Sequence, residues 1–289
     1  METHIKNILV TGANGQLGNE IRNLANSYAS CRFIFTDYQE LDITNSNACE
    51  DFIKKTKPNF IINCAAYTAV DKAEQEKTEA NLLNATAPKI LADLCKNLNV
   101  KLIHISTDYV FDGKTYLPYK ETDGVNPESA YGRTKLQGEH NVLDSGVGMV
   151  IRTSWLYSAY GNNFVKTILK HGAIKPELRV VFDQIGTPTW AHDLAKAILD
   201  ITNKGGSNFK PEIFHYSNEG VCSWFDFAHE IIAISNMQCK VKPIETKDYP
   251  TPAIRPKYSV FNKQKIRNLY NLEIPHWRDS LIECLKQLR

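Results

Sequence analysis

Three features of the sequence predict an α/β protein built on a doubly wound parallel sheet with a smaller C-terminal lobe. Short β-rich runs alternate with helical segments through the first half of the chain. Those runs are five to seven residues long with apolar centres that do not alternate, as strands buried on both faces require. The first run ends in a glycine cluster that opens a helix, Thr11-Gly12-Ala13-Asn14-Gly15-Gln16-Leu17-Gly18, the signature of a Rossmann-type unit.

The elements follow in order. Residues 5–11 are the first strand and 17–28 the first helix. Residues 31–36 are the second strand, closed by Asp37, and 59–64 the third. Residues 79–98 space Ala, Leu and Ile at mixed three- and four-residue steps, which makes one core-facing helical stripe. Residues 100–105 are a strand, 129–144 a helix and 147–152 a strand. Parallel neighbours should be joined by right-handed crossovers. Beyond about residue 155 the pattern loosens. Helices are expected over 162–171, 190–202, 224–235, 262–270 and 277–288, with a short strand over 213–216. Residues 203–208 read as a turn, and 242–255, with three prolines, as an extended loop. The expected division is a core over 1–155 and a lobe over 156–289, with about 172–205 returning to the core.

Composition narrows the function classes. The 289 residues are 43% hydrophobic and 23% charged, with a formal charge of +2. That balance gives no global pull toward nucleic acid or an anionic membrane. No apolar run approaches the roughly 20 residues that span a bilayer. The N-terminal residues lack the basic and apolar regions of an export signal. The seven cysteines are scattered and include no CxxC pair. Free thiols in a reducing cytoplasm are expected, and no metal site is assigned.

The glycines of the first loop stand at positions i, i+3 and i+6. Gly12 permits a tight turn, Gly15 lets main chain approach a diphosphate, and Gly18 lets helix and strand pack closely. With Asn14, Gln16 and Leu17 they are the candidate diphosphate contacts at a helix N-terminus. Asp37 lies 19 residues after Gly18, placed to accept from an adenosine ribose. Its alternative is a strand-end turn residue. Asp42 and Ile43, in the next loop, are candidates to wall the adenine. The choice between NADH and NADPH stays open.

Chemistry is expected at the carboxyl ends of the strands. Ser106-Thr107-Asp108-Tyr109 follows the strand at 100–105, and Tyr131 and Lys135 share one helix face 24 residues after Thr107. Reduction of a ketone leaves alkoxide character on oxygen. Tyr131 can donate the proton, a lysine cation nearby should lower its pKa, and Thr107 can donate a second hydrogen bond. Asp108 suits a turn-ordering role. Trp155 could wall a sugar, Arg255 could meet a diphosphate, and Thr68, Val70 and Asp71 could border the sugar pocket.

These motifs together resemble the extended short-chain dehydrogenase/reductases and, among them, the dTDP-4-dehydrorhamnose reductases. The likeness is carried by the glycine loop, Asn63-Cys64-Ala65-Ala66-Tyr67-Thr68-Ala69-Val70-Asp71, Ser106-Thr107-Asp108-Tyr109-Val110-Phe111-Asp112-Gly113, and Tyr131-Gly132-Arg133-Thr134-Lys135. It continues in Arg152-Thr153-Ser154-Trp155, Gly186-Thr187-Pro188-Thr189 and Arg255-Pro256 with Ser259. The resemblance implies a catalytic set of Thr107, Tyr131 and Lys135, with Lys135 also holding the nicotinamide ribose. It implies that Ala65, Ala66 and Tyr67 flank NADPH or NADH. The substrate it implies is a dTDP-linked 4-keto-6-deoxy sugar, reduced at C4. Some members of the family form magnesium-linked dimers and others are monomers, so a homodimer is allowed but neither it nor Mg2+ is assignable from these residues. Two rivals remain. One is another nucleotide-sugar reductase or epimerase. The other is a non-catalytic subunit like the regulatory partner of methionine adenosyltransferase.

Overall fold

The computed structural model describes residues 5–204 and 208–288. Its first half runs β1 (Lys6–Thr11), α1 (Gln16–Leu24), β2 (Cys31–Thr36), α2 (Ser46–Thr56), β3 (Phe60–Asn63), α3 (Lys77–Asn81), α4 (Ala87–Leu98), β4 (Lys101–Thr107), α5 (Ala130–Asp144) and β5 (Gly148–Thr153). The second half runs β6 (Leu156–Tyr157), α6 (Phe164–Gly172), β7 (Glu177–Val181), β8 (Ile185–Gly186), β9 (Thr189–Trp190), α7 (Ala191–Lys204) and β10 (Ile213–His215). It closes with β11 (Cys222–Ser223), α8 (Trp224–Ile234), β12 (Lys240–Ile244), α9 (Gln264–Tyr270) and α10 (Trp277–Gln287).

Six parallel strands form the central sheet in the order β10-β5-β4-β3-β1-β2. The order reverses direction beside β1, the place where such sheets bind ligands. The strand centres are apolar on both faces because successive side chains enter opposite layers. Ile8 and Val10 of β1 pack with Phe60, Ile62, Ile103, Met149 and Ile151 on one face. Leu9, Ile61, Leu102 and Val150 pack on the other, under α2 and α4. The first face is covered by α1 and α7, whose Leu194, Ile198 and Leu199 are fully buried against it. A separate apolar centre gathers α6, α8 and α10 around Phe227, Ile231 and Leu281.

Local chemistry sets the elements that reach the site. Ser129 caps α5 by accepting from the Gly132 main-chain N–H at 3.1 Å, which fixes the helix start just ahead of Tyr131. Between α3 and α4, Leu82–Thr86 forms one π-helical turn. Such turns insert a residue and turn a side chain off the helix face.

Several expectations are revised. The first helix ends at Leu24 and continues as a 3-10 turn, Ala25–Ser27. β4 runs on through Thr107, two residues beyond the expected strand end. The region 242–255 is not all loop: its start belongs to β12, which pairs in parallel with β7. Pro243 is tolerated there because a two-stranded ribbon leaves one edge of each strand unpaired. Of the turn expected over 203–208, residues 203 and 204 belong to α7, and 205–207 lie outside the described residues. No helix among the described residues is long and apolar enough to cross a membrane.

Candidate active site

The glycine loop packs directly on the segment after β3. Gly12 has φ +64°, and a Cβ there would lie 2.5 Å from the Ala65 nitrogen. A Cβ on Gly18 would lie 2.6 Å from the Gly12 carbonyl oxygen. Gly15 caps α1 without any side-chain hydrogen bond, so the first N–H groups of the helix face the loop. Main chain brought this close, at a helix N-terminus, fits a dinucleotide diphosphate.

Asp37 braces this loop. Its Oδ2 accepts from the Asn14 N–H at 2.9 Å and its Oδ1 from the Tyr38 N–H at 2.8 Å. Asp42 makes a turn, its Oδ1 accepting from the N–H and hydroxyl of Thr44 at 2.9 and 2.7 Å. The Ile43 side chain is buried in the core under α2 and α4, which leaves its main chain for any adenine contact.

A cleft of about 560 Å³ opens at the carboxyl ends of β1, β3, β4 and β5. Gly15, Gln16, Leu17, Ala66, Thr68, Val70, Thr107, Asp108, Tyr131, Lys135 and Trp155 all line it. Residues from five separate stretches of chain are thus brought to one surface. Gly12, Asn14, Gly18, Asp37, Asp42, Ile43, Ala65, Tyr67, Asp71 and Arg255 stand outside its lining, the glycines supporting it from behind.

Lys135 is 1% exposed. Its Nζ donates to the Ile105 carbonyl at 2.5 Å and lies 3.3 Å from His104 Nε2. Burial lowers its pKa to about 8, with the Glu139 carboxylate pulling the other way. Tyr131 behaves unlike the expectation. Burial raises it to about 12, Asp108 adds to the rise, and only a hydrogen bond with Thr107 opposes it. Desolvation of the phenolate outweighs any help from the lysine in this cleft.

Thr107 is also engaged. Its hydroxyl donates to Asp108 Oδ1 at 3.1 Å and accepts from the Tyr109 N–H at 3.2 Å. Asp108 and Tyr131 both lie within reach of its proton, and donation to a substrate oxygen requires the hydroxyl to turn from them. Asp108 is buried, which raises its carboxyl to about 6, while hydrogen bonds from Ser259, Thr107 and the local main chain lower it. Its work here is to hold the turn.

The outer wall is aromatic. Trp155 stacks on Trp224 with ring centroids 3.6 Å apart and planes 8° from parallel. Trp155 has φ +48°, an uncommon conformation for a bulky residue. Gly186 makes room for it: a Cβ there would lie 2.7 Å from the indole. Arg255 and Asp71 hold each other. The guanidinium meets Asp71 Oδ1 and Oδ2 at 3.1 and 2.8 Å and donates to Thr251 Oγ1 at 2.6 Å. The pair keeps the Asp71 carboxyl below the usual carboxylate range.

Sequence reasoning missed several residues in the lining and one, Asn84, behind it. Trp224 opens α8, and no motif marks it. Asn163 donates to Gln16 Oε1 at 2.9 Å and so ties α6 to the glycine loop. Asn84, on the π turn, clamps Tyr67 by accepting from its N–H at 2.9 Å and donating to its carbonyl at 3.0 Å. Among the described residues the buried hydroxyls of Ser106 and Thr153 have no hydrogen-bond partner, and both residues line the cleft. Among the described residues no group of three or more His, Cys, Asp or Glu side chains is arranged to hold a metal ion.

Comparison with known proteins places this geometry. The family model described as the RmlD substrate binding domain matches residues 6–289. A dTDP-4-dehydrorhamnose reductase of Aggregatibacter actinomycetemcomitans is 39% identical over 284 residues, covering 95% of this chain and 96% of the relative. The crystal structure of a dTDP-4-dehydrorhamnose reductase from Clostridium acetobutylicum is 45% identical, with a TM-score of 0.92 over 98% of this chain and 99% of that one. That of the Bacillus anthracis reductase in complex with NADP is 37% identical, with a TM-score of 0.93 and coverage of 98% and 99%. The chain therefore belongs to the RmlD family, alongside the dTDP-4-dehydrorhamnose reductases it resembles along nearly its whole length.

Proposed function

We propose that the chain reduces the C4 ketone of dTDP-4-dehydro-β-L-rhamnose with NADPH or NADH, giving dTDP-β-L-rhamnose. The observation that carries this reading is the meeting of a glycine-loop cradle, Thr107, Tyr131 and Lys135 in one cleft with an aromatic wall opposite. The relatives named as reductases of this substrate, and the one crystallised with NADP, support it.

The division of labour follows the fold. The core up to about residue 155, with α7, β10 and α9 returning to it, takes the cofactor, while the rest of the chain beyond 156 supplies the sugar side through Trp155's partner Trp224 and the Arg255 loop. When bound, the reduced nicotinamide supplies a hydride for the ketone carbon. Tyr131 gives its hydroxyl proton to the ketone oxygen, so that one hydride and one proton convert ketone to alcohol. Lys135 as the cation steadies the phenolate left behind. Thr107 rotates from Asp108 to hydrogen-bond the same oxygen. Because the acid must be protonated and Lys135 charged, activity falls as pH rises through the Lys135 value of about 8. The Asp37 carboxylate beside the loop repels a 2′-phosphate and favours NADH. The site of action we assign is the cytoplasm.

The test is direct. Freshly made dTDP-4-dehydro-β-L-rhamnose is supplied with NADPH or NADH, and the sugar product is identified by NMR. The C4 alcohol with cofactor consumption supports the reading. No net consumption with sugar isomerised would support an epimerase instead.

A further inference from the structure

We infer that Asn63 and His104 form a buried positioning relay that fixes which proton faces Lys135 and so sets the charge of that lysine. The inference rests on the role given to Lys135 above. Asn63 ends β3 and His104 lies in β4, 1% and 0% exposed. Asn63 Oδ1 accepts from the Ala65 main-chain N–H at 3.2 Å and from Thr11 Oγ1 at 2.8 Å. A main-chain N–H can only donate, so the oxygen of the amide must be the atom that faces Ala65. The amide nitrogen then faces His104 Nδ1, 3.1 Å away. It too can only donate, and Nδ1 must be bare.

Burial and the nearby Lys135 hold the ring neutral, its pKa well below the ordinary histidine value. A neutral imidazole with a bare Nδ1 carries its proton on Nε2. That N–H points at Lys135 Nζ across 3.3 Å. An ammonium offers it only hydrogens, whereas a neutral amine offers a lone pair. The contact opposes the cation.

The other groups around Lys135 are accounted for. The Ile105 carbonyl accepts from it. Glu139, one turn along α5, favours the cation but is held by Arg152 at 2.9 and 2.7 Å. Tyr131, one turn back, keeps its proton, and burial pushes the Cys64 thiol up so that it stays neutral. Asp108, buried past the end of β4, accepts from Thr107 and acts on Tyr131, while Glu139 is the carboxylate that acts on Lys135. His104 is thus a neutral donor whose tautomer is dictated from the wall that Gly12 packs against.

The relay is read without turnover by 15N NMR of histidine-labelled protein, with His104→Asn identifying the resonance. The expected result is a protonated Nε2 and a bare Nδ1, and the reverse tautomer overturns the inference. In His104→Asn the amide oxygen replaces Nδ1 as the Asn63 partner and the Nε2–H is lost. The alkaline limb of the pH–rate profile should then move up by about one unit, the size of shift one neighbouring group produces. A limb that stays in place or moves down overturns the relay. Lys135→Met separates the two claims: wild-type turnover in that variant would remove the catalytic role of Lys135 whatever the tautomer proves to be.

Discussion

The two walls of the cleft are built by different means. The wall proposed to take the cofactor is main chain at the ends of neighbouring strands, where Gly12 and Gly18 let backbone touch backbone. The wall proposed to meet the sugar is side chains from distant segments, with Trp155 stacked on Trp224 and Asp71 paired with Arg255, 184 positions away. The first wall is set by the packed sheet core behind it. The second depends on how the lobe sits, and it carries the unusual Trp155 backbone. The reacting groups thus rest on the sheet, and the outer wall on contacts that a few substitutions can change.

This contrast predicts a graded set of effects. The largest falls where both walls meet. Tyr131→Phe removes the proton donor and should lower kcat by about 10³-fold, within the range for general acids. Its cofactor affinity, by fluorescence titration, should stay near the wild-type value. Comparable loss of both would place Tyr131 in the cofactor wall alone.

The next effect tests the main-chain wall. Gly12→Ala puts a Cβ 2.5 Å from the Ala65 nitrogen at a positive φ. Cofactor should bind about 10- to 100-fold more weakly, from strain of at least one to two kcal/mol. Calorimetry with each cofactor checks it, and unchanged binding would deny the close approach any importance.

The sugar wall should respond more mildly. Trp224→Ala removes the indole stacked on Trp155. The loss of an aromatic contact of about 1 kcal/mol should raise KM for the sugar about fivefold and leave the cofactor KM unchanged. The smallest effect concerns cofactor choice. Asp37→Asn keeps an acceptor for the Asn14 N–H but removes the charge, and should shift the ratio of kcat/KM toward NADPH by a few-fold. Paired initial rates with the two cofactors measure it.

The same contrast explains what was legible in the sequence. The sheet could be read because apolar strands and a glycine loop are local patterns. Ile8, Leu9 and Val10 declare burial on two faces within three positions. The Thr107, Tyr131 and Lys135 group was legible because a fixed spacing follows a recognisable strand end. Trp224 was not, since a tryptophan at a helix start has the same local pattern whether it packs in a core or stacks at a cleft. Asn84 needed the π turn, and the Asn163 bond to Gln16 joins residues 147 positions apart. The raised Tyr131 was hidden for another reason. Helical spacing shows that Lys135 is near, but only the packed cleft shows that burial outweighs it. The strand at β12 was masked by Pro243, which argues against a strand unless its free edge is known.

Tyr131 stands at the centre of the proposed reaction as the proton donor to the C4 ketone oxygen of a dTDP-4-keto sugar. The most direct measurement is a single-turnover reduction of dTDP-4-dehydro-β-L-rhamnose with preloaded NADH, in wild type and Tyr131→Phe, followed by absorbance and product NMR. The account predicts rapid formation of dTDP-β-L-rhamnose by the wild type and a rate about 10³-fold lower in the variant. Equal rates in the two proteins, or oxidation of the cofactor without the C4 alcohol, would contradict it.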